Sequence, residues 1–344
     1  MIDFFKSDES IILESGQRLN GFEIAYTTFG QLSEQKDNVI WVCHALTASA
    51  DVLDWWQGLF GENCLFNPDE HFIICANVLG SCYGTTGPLS VNKLNGQPYY
   101  HTFPLITVRD MVQLHIKLAA HLQIKKINVL IGGSLGGQQA LEWSIIEPLR
   151  IENLIVIATN AKHSAWGIAF NEAQRMAIEA DSSWLTDHNR AGIEGLKAAR
   201  AMALMSYRNY RTFSKTQLET DLTKIDDFKA SSYQRYQGLK LINRFNAFSY
   251  VMLSKAMDSH NLGRNRGELV AVLGLIQART LVIGLSSDIL FPVSEQEYLA
   301  RYIARAEFSV IDSLYGHDGF LIETETLARI ISRFLIGNKE QVRL

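Results

Sequence analysis

Neither sign of charge dominates this sequence, and no part of it is both long and apolar. Its 32 lysines and arginines face 36 aspartates and glutamates, for a formal net charge of −4. That balance gives no electrostatic reason to expect nucleic acid or an anionic membrane as a partner. No apolar stretch approaches the ~18–20 residues that a membrane helix needs. The opening segment, MIDFFKSDESII, lacks the basic segment and apolar run of a secretory signal. A soluble, cytoplasmic protein is expected. Cysteine is scarce too: Cys43, Cys64, Cys75 and Cys82 match neither a zinc spacing nor a CxxC redox pair. No metal is therefore expected. Cys43 and Cys75 sit inside apolar runs and read as small buried thiols, whereas Cys82 lies in a glycine-rich loop and has more scope for exposure. The lack of a disulfide framework favours a reducing compartment. There is no internal repeat and no low-complexity tract.

What is present is ordinary globular composition, 344 residues of which 47% are hydrophobic and 20% charged. The length allows two domains, or one α/β domain with an inserted subdomain, and suffices for a sizeable core. Residues 11–29 alternate loosely, with a turn signal at Asn20-Gly21, and read as an opening antiparallel hairpin. Short apolar runs follow at 39–43 (VIWVC), 72–76 (FIICA), 127–131 (INVLI), 154–158 (LIVIA) and 281–285 (LVIGL), with a weaker one at 307–311 (EFSVI). Runs of this length, rich in Val and Ile, suit strands buried on both faces of a parallel sheet. Helical patterns lie between them, at 107–122 with Thr107 as a candidate cap and at 136–146 directly after a strand. This alternation predicts a doubly wound α/β sheet.

Residues 163–276 break the rhythm with helical patterning rich in Ala, Met, Arg and Gln. They read as a helical lid inserted into a core formed by residues 1–162 and 277–344, the alternative being an independent helical domain. An insertion at that edge would sit above the C-terminal ends of the strands, where open α/β sheets bind ligands.

The strongest local signal is IGGSLGGQQALEW at 131–143, which contains G-x-S-x-G as Gly132-Gly133-Ser134-Leu135-Gly136. An apolar strand before it and a helical pattern after it are the context in which that motif presents a nucleophile on a sharp, crowded turn. The competing reading is a glycine-rich turn with a structural serine. A serine hydroxyl needs a base to take its proton. In the α/β-hydrolase order of nucleophile, acid and histidine, Asp288 follows LVIGL and His317 follows EFSVI. Asp312 ends its own strand, too near His317 in sequence to span the site comfortably. Asp318 adjoins the histidine and would point away from its ring. His44, in CHALT, precedes the serine against the expected order and reads as a loop-shaping residue. Backbone donors for an oxyanion are expected from Leu135, just after the nucleophile, and from the HALTASA loop, where Leu46 is the candidate.

At this point the chain resembles the homoserine O-acyltransferases, enzymes of the α/β-hydrolase superfamily. The resemblance is carried by GGSLGGQQALEW, SSDILFP and GHDGFL, and continues through HALTASAD, GSCYGTTGP, SYRNYRTF, SYQRYQGLKLINRF and AMDSHNLGR. It therefore extends through the helical insertion, which a generic esterase has no reason to match. It implies ping-pong transfer of an acetyl group from acetyl-CoA to the hydroxyl of L-homoserine, in methionine biosynthesis, with no permanently bound cofactor. It further implies that Arg208, in the SYR segment, binds the substrate carboxylate and that Asp318 binds the substrate amine. From the residues alone these two read as a solvated helix arginine and a loop aspartate. A homodimer through the lid helices is also implied. Succinyl-CoA as donor, serine as acceptor, and an esterase or thioesterase using the same triad are the alternatives. A non-catalytic ligand-binding protein on this fold is a third class. The chain departs from the family's usual pattern at Ala48, Ser81, Asn246 and Phe248, positions that bear on the choice of donor and the shape of the pocket.

Overall fold

The computed structural model describes residues 1–341, with side-chain surroundings through 337. The chain runs through β1 (Ile2–Ile12), β2 (Arg18–Phe29), β3 (Val39–Cys43), α1 (Val52–Trp55), β4 (Phe72–Ala76), α2 (Val108–His121), β5 (Ile127–Gly133), α3 (Leu135–Ile146) and β6 (Ile151–Ile157). Helices alone then follow: α4 (Ala165–Glu179), α5 (Ile193–Tyr207), α6 (Tyr210–Thr216), α7 (Lys229–Ile242), α8 (Ala247–Asp258) and α9 (Leu269–Leu273). The sheet resumes with β7 (Arg279–Leu285), α10 (Val293–Tyr302), β8 (Ala306–Ile311), α11 (Gly319–Ile322) and α12 (Thr324–Gln341).

These strands form one eight-stranded sheet in the order β1-β2-β4-β3-β5-β6-β7-β8. The first two strands run antiparallel, and every pairing from β4 onward is parallel. Two apolar clusters explain why the central runs carry no polar alternation. Val39, Trp41 and Cys43 point into one cluster, while Ile40 and Val42 point into the other. Both faces of β3 are therefore dry. Trp41 meets Trp143 of α3 edge to face, with centroids 4.9 Å apart at 77°, a geometry that adds about 0.5–1.5 kcal/mol to the area each ring buries. Helix α2 starts at Thr107 in a reciprocal capping box: its hydroxyl accepts from the Asp110 amide, and the Asp110 carboxylate accepts from the Thr107 amide at 2.8 Å.

The opening hairpin differs from expectation. Its strands are β1 and β2, and the chain reverses at residues 13–17, not at Asn20-Gly21. The register shifts between Ser7 and Ser10, so two residues of β1 oppose Gly21, whose φ is +75°. The Asn-Gly pair thus marks a β-bulge inside a strand, where a positive φ is equally needed. β1 has no apolar alternation to betray it, because it is an edge strand open to water along most of its length and studded with charge.

Candidate active site

Three strand ends supply the central side chains. Ser134 lies between β5 and α3, Asp288 follows β7, and His317 follows β8. The turn that presents Ser134 is tight and strained, with φ at +57° and ψ at −126°. A non-glycine residue held there costs about 1–3 kcal/mol and persists only where its surroundings enforce it. The Ser134 amide donates to the Ile157 carbonyl at 3.0 Å, and its own carbonyl accepts from the Thr159 hydroxyl at 2.9 Å. The Thr159 carbonyl in turn accepts from the fully buried Gln296 side chain at 2.7 Å. The flanking glycines are required by contact. A Cβ on Gly132 would overlap the Gly136 backbone, and one on Gly136 would strike the Cys43 carbonyl. The elbow packs directly onto β3.

Ser134, His317 and Asp288 are all buried and joined in a chain. His317 Nε2 lies 2.9 Å from Ser134 Oγ, and His317 Nδ1 lies 2.7 Å from Asp288 Oδ2. The other carboxylate oxygen of Asp288 accepts the amides of Leu290 and Phe291 at 2.8 and 2.9 Å. With both oxygens serving as acceptors, Asp288 fixes the tautomer: His317 carries its proton on Nδ1 and leaves Nε2 free to take the serine proton. Asp312 is exposed and accepts from Ser286 Oγ at 2.8 Å. The His317 ring is packed among Phe291, Phe320 and Tyr207, with centroids at 5.1, 5.4 and 5.7 Å.

Burial disfavours the imidazolium, but Asp288 and then Asp318 outweigh it and hold the His317 pKa above the ordinary histidine range. Burial also pushes the nearby Glu295 carboxyl up to about 7, opposed by a bond from Asn160 and assisted by the charge of Asp288. His317 must be neutral to act as a base, so a rate that depends on it falls as pH drops through its pKa. Removing the Asp318 charge lowers that pKa. Asp318→Asn is thus expected to move the acid limb of Ser134 acylation to lower pH, as read from the burst phase of acylation across a pH series. A limb that stays in place or moves up would show that Asp318 does not act on the imidazole.

Leu46 lies on the loop after β3 and lines the cavity above Ser134, while Leu135 is the first residue of α3. Among the described residues neither backbone N–H is taken by a protein acceptor. Gln139, fully buried, donates to the carbonyls of both His44 and Leu135, at 3.0 and 3.2 Å. It therefore ties the two donor segments together. His44 holds the rest of that loop. Its Nδ1–H donates to the Ala45 carbonyl at 2.8 Å and its Nε2 accepts the Val78 amide at 3.0 Å. Burial drives its pKa down to about 4, so it stays neutral.

A cavity of about 660 Å³ opens over Ser134 and His317. Part of its wall comes from the helical segment, including Tyr207 at the end of α5 and Arg208 just beyond it. Arg208 leaves the helix in an extended conformation, and its Nε stands 3.2 Å from Asp318 Oδ2. The N–H is not aligned on that oxygen and has no hydrogen-bond partner, so the pair is loosely held. Among the departures from the family pattern, Ala48 lines the cavity. Asn246 caps α8 through a bond from the Ser249 amide at 2.8 Å, a role that aspartate fills equally well. Phe248 packs away among Tyr100, His101 and Trp184, and Ser81 is buried with its hydroxyl accepting the Tyr83 amide. Cys82 is half-buried, and burial pushes its thiol up to about 11, which leaves little thiolate at neutral pH. No group of three or more His, Cys, Asp or Glu side chains among the described residues is arranged to hold a metal.

Thr159, Gln296 and Gln139 were not legible as site residues, since no motif distinguishes a buried threonine or glutamine that steadies a backbone from one that merely packs. Only the GGQQ run gave Gln139 a position beside the elbow.

A mostly parallel sheet with a strained serine elbow after its fifth strand, and a buried histidine and carboxylate at neighbouring strand ends, defines the α/β-hydrolase class. A family model described as alpha/beta hydrolase fold matches residues 38–324. Within that class the chain belongs to the homoserine O-acetyltransferase family. It is 52% identical over 336 residues to the homoserine O-acetyltransferase of Cyclobacterium marinum, covering 98% of this chain and 95% of that one. The crystal structure of homoserine O-acetyltransferase from Bacillus anthracis superposes with a TM-score of 0.89 at 23% identity, covering 97% of each chain. That of esterase E22 superposes with a TM-score of 0.87 at 22% identity, covering 97% of this chain and 100% of that one. These two likenesses concern the fold, which acyltransferase and esterase share.

Proposed function

We propose that this enzyme transfers an acetyl group from acetyl-CoA to the hydroxyl of L-homoserine through an acyl-Ser134 intermediate, a step of methionine biosynthesis. The observation that carries the reading is the Arg208–Asp318 pair on the wall of the cavity that holds Ser134 and His317. An amino-acid acceptor brings one carboxylate and one ammonium. Arg208 offers a planar fork for the first and Asp318 an anion for the second. The two side chains satisfy each other loosely until a zwitterion replaces one ion pair with two. A water-consuming esterase needs neither.

In the first half-reaction His317 Nε2 removes the Ser134 proton as Oγ attacks the thioester carbonyl. The oxyanion is held by the Leu46 and Leu135 amides. Its collapse breaks the C–S bond, and the thiolate of the carrier takes the proton from His317. In the second, His317 removes the proton of the acceptor hydroxyl, which attacks the acyl-Ser134 carbonyl. The ester C–O bond to Ser134 breaks and Oγ recovers the proton. Asp288 steadies the imidazolium in both steps. The helices over the cavity limit access of water, which would hydrolyse the acyl-enzyme. The second reading in this class, succinyl transfer or a serine acceptor, is separated by a mass-spectrometric assay of purified enzyme with both donors and both acceptors. O-Acetylhomoserine as the main product supports the reading; hydrolysis alone overturns it. We also propose a homodimer through the lid helices, supported by apolar side chains left exposed there, including Met176 of α4 at 61% and Met205 of α5 at 58%.

Arg208→Ala is expected to spare acylation of Ser134 and to slow transfer to L-homoserine by on the order of 10²-fold, because a mispositioned acceptor loses that much. Lysine should restore it only in part, having charge without the fork. Single-turnover kinetics of the two half-reactions checks this. Equal slowing of both, or of neither, would contradict the carboxylate-anchor role.

A further inference from the structure

The lid brings more positive charge to the cavity than an amino-acid acceptor uses. Beyond Arg208, the wall carries Arg200 from α5, Lys240 from α7 and Arg244 just past the end of α7. Gln237, Lys240, Leu241 and Arg244 are spaced three, four and seven residues apart, so one stripe of α7 and its continuation faces the cavity. Among the described residues none of the three cations is ion-paired with a carboxylate. Arg200 lies over the Tyr207 ring at 5.5 Å. Arg244 donates to two neutral oxygens, the Thr47 carbonyl and Tyr83 Oη, each at 2.5 Å. Lys240 is exposed. The acids on the same wall are Asp318, which Arg208 holds, and the exposed Asp54 from α1. Like charges gathered in one cleft repel each other and attract an anion.

The acceptor cannot be that anion, since its single carboxylate and its ammonium are already matched by Arg208 and Asp318. The donor can. Coenzyme A carries its phosphates at the end of the molecule away from the thioester, so with the acyl group on Ser134 the charged end must lie outward along the cavity. Resting on the reading of the donor proposed above, we infer that Lys240 and Arg244, assisted by Arg200, form a phosphate-binding subsite for the acyl-CoA donor. Arg244 has a second attachment. Its bond to the Thr47 carbonyl ties it to the loop after β3, so the cation has a set position on the cavity wall. The competing account is that Lys240 and Arg244 merely serve the C-terminal end of α7, whose partial negative charge favours cations. That account predicts no dependence on what the donor carries.

The test compares acetyl-CoA with S-acetylpantetheine, which has the same thioester and arm but no phosphate. Lys240→Glu is the main variant, because among the described residues this exposed side chain has no hydrogen bond or ion pair to lose. It is expected to raise KM for acetyl-CoA about fivefold more than KM for S-acetylpantetheine, the factor that an exposed ion pair commands. Arg244→Gln should discriminate in the same direction, and Arg244→Lys less so, because it keeps the charge. Added salt should raise KM for acetyl-CoA selectively in the native enzyme. Equal changes for the two donors would overturn the subsite while leaving acyl transfer intact. If neither donor acylates Ser134, the proposed function itself fails, and the subsite with it.

Discussion

Ser134→Ala is expected to lower kcat by on the order of 10⁶-fold without unfolding the protein. The Oγ that leaves is the atom 2.9 Å from His317 Nε2, and no other nucleophile stands ready to replace it: the Cys82 thiol is held protonated by burial. What survives is the contribution of the oxyanion donors and of substrate binding, about 10³–10⁴ over water in enzymes of this kind. The fold should persist because the bonds that enforce the elbow run through the backbone of residue 134, from its amide to Ile157 and from Thr159 to its carbonyl. Alanine at the same positive φ keeps both. Steady-state kinetics together with thermal melts checks the pair of statements. A variant that melts like the native protein yet keeps more than a small fraction of the rate would contradict the assignment of the nucleophile.

Asp288→Asn should cost on the order of 10⁴-fold in kcat, and Asp312→Asn should cost far less. The reason lies in the way Asp288 is held. One oxygen accepts two backbone amides and the other accepts the His317 Nδ1 proton. An asparagine has a single acceptor oxygen. If that oxygen keeps the two amides, its NH₂ faces Nδ1 and forces the imidazole proton onto Nε2, where the ring can no longer receive a proton from Ser134. If instead it faces Nδ1, two buried amides are opposed by an NH₂ group. Either arrangement disables the base or strains the loop. Asp312 is exposed and bonded to Ser286. A reversed ranking in steady-state kinetics would mean that the acid had been assigned to the wrong strand end.

The parallel part of the sheet was legible because its strands are buried on both faces. Five consecutive apolar residues such as VIWVC leave little else to build, and the strand that forms there spans the same residues, Val39–Cys43. The G-x-S-x-G elbow was legible for a related reason: crowding at the turn excludes side chains and so leaves glycines in the sequence. The antiparallel edge was not legible. β1 is wet on most of its length, and no alternation records it. The Asn-Gly signal reports a positive φ, which a bulge and a turn both need. The residues that steady the elbow, Thr159, Gln139 and Gln296, act through side-chain hydrogen bonds to backbone atoms, most of them distant in sequence. One-dimensional pattern carries no trace of such bonds. Arg208 and Asp318 could be singled out by family resemblance alone. Their proximity at 3.2 Å adds the physical reason for weighing them together, since a matched pair of opposite charges beside the serine is what a zwitterionic acceptor would use.

The central claim is that the acyl group passes through Ser134. Native enzyme incubated with acetyl-CoA in the absence of any acceptor, then digested and examined by peptide mass spectrometry, tests it most directly. The account predicts an added acetyl mass on the peptide bearing Ser134, and its disappearance with formation of an O-acetyl product once L-homoserine is supplied. A stable acetyl label on Cys82 instead, or product formed in a single turnover with Ser134 never modified, would contradict it.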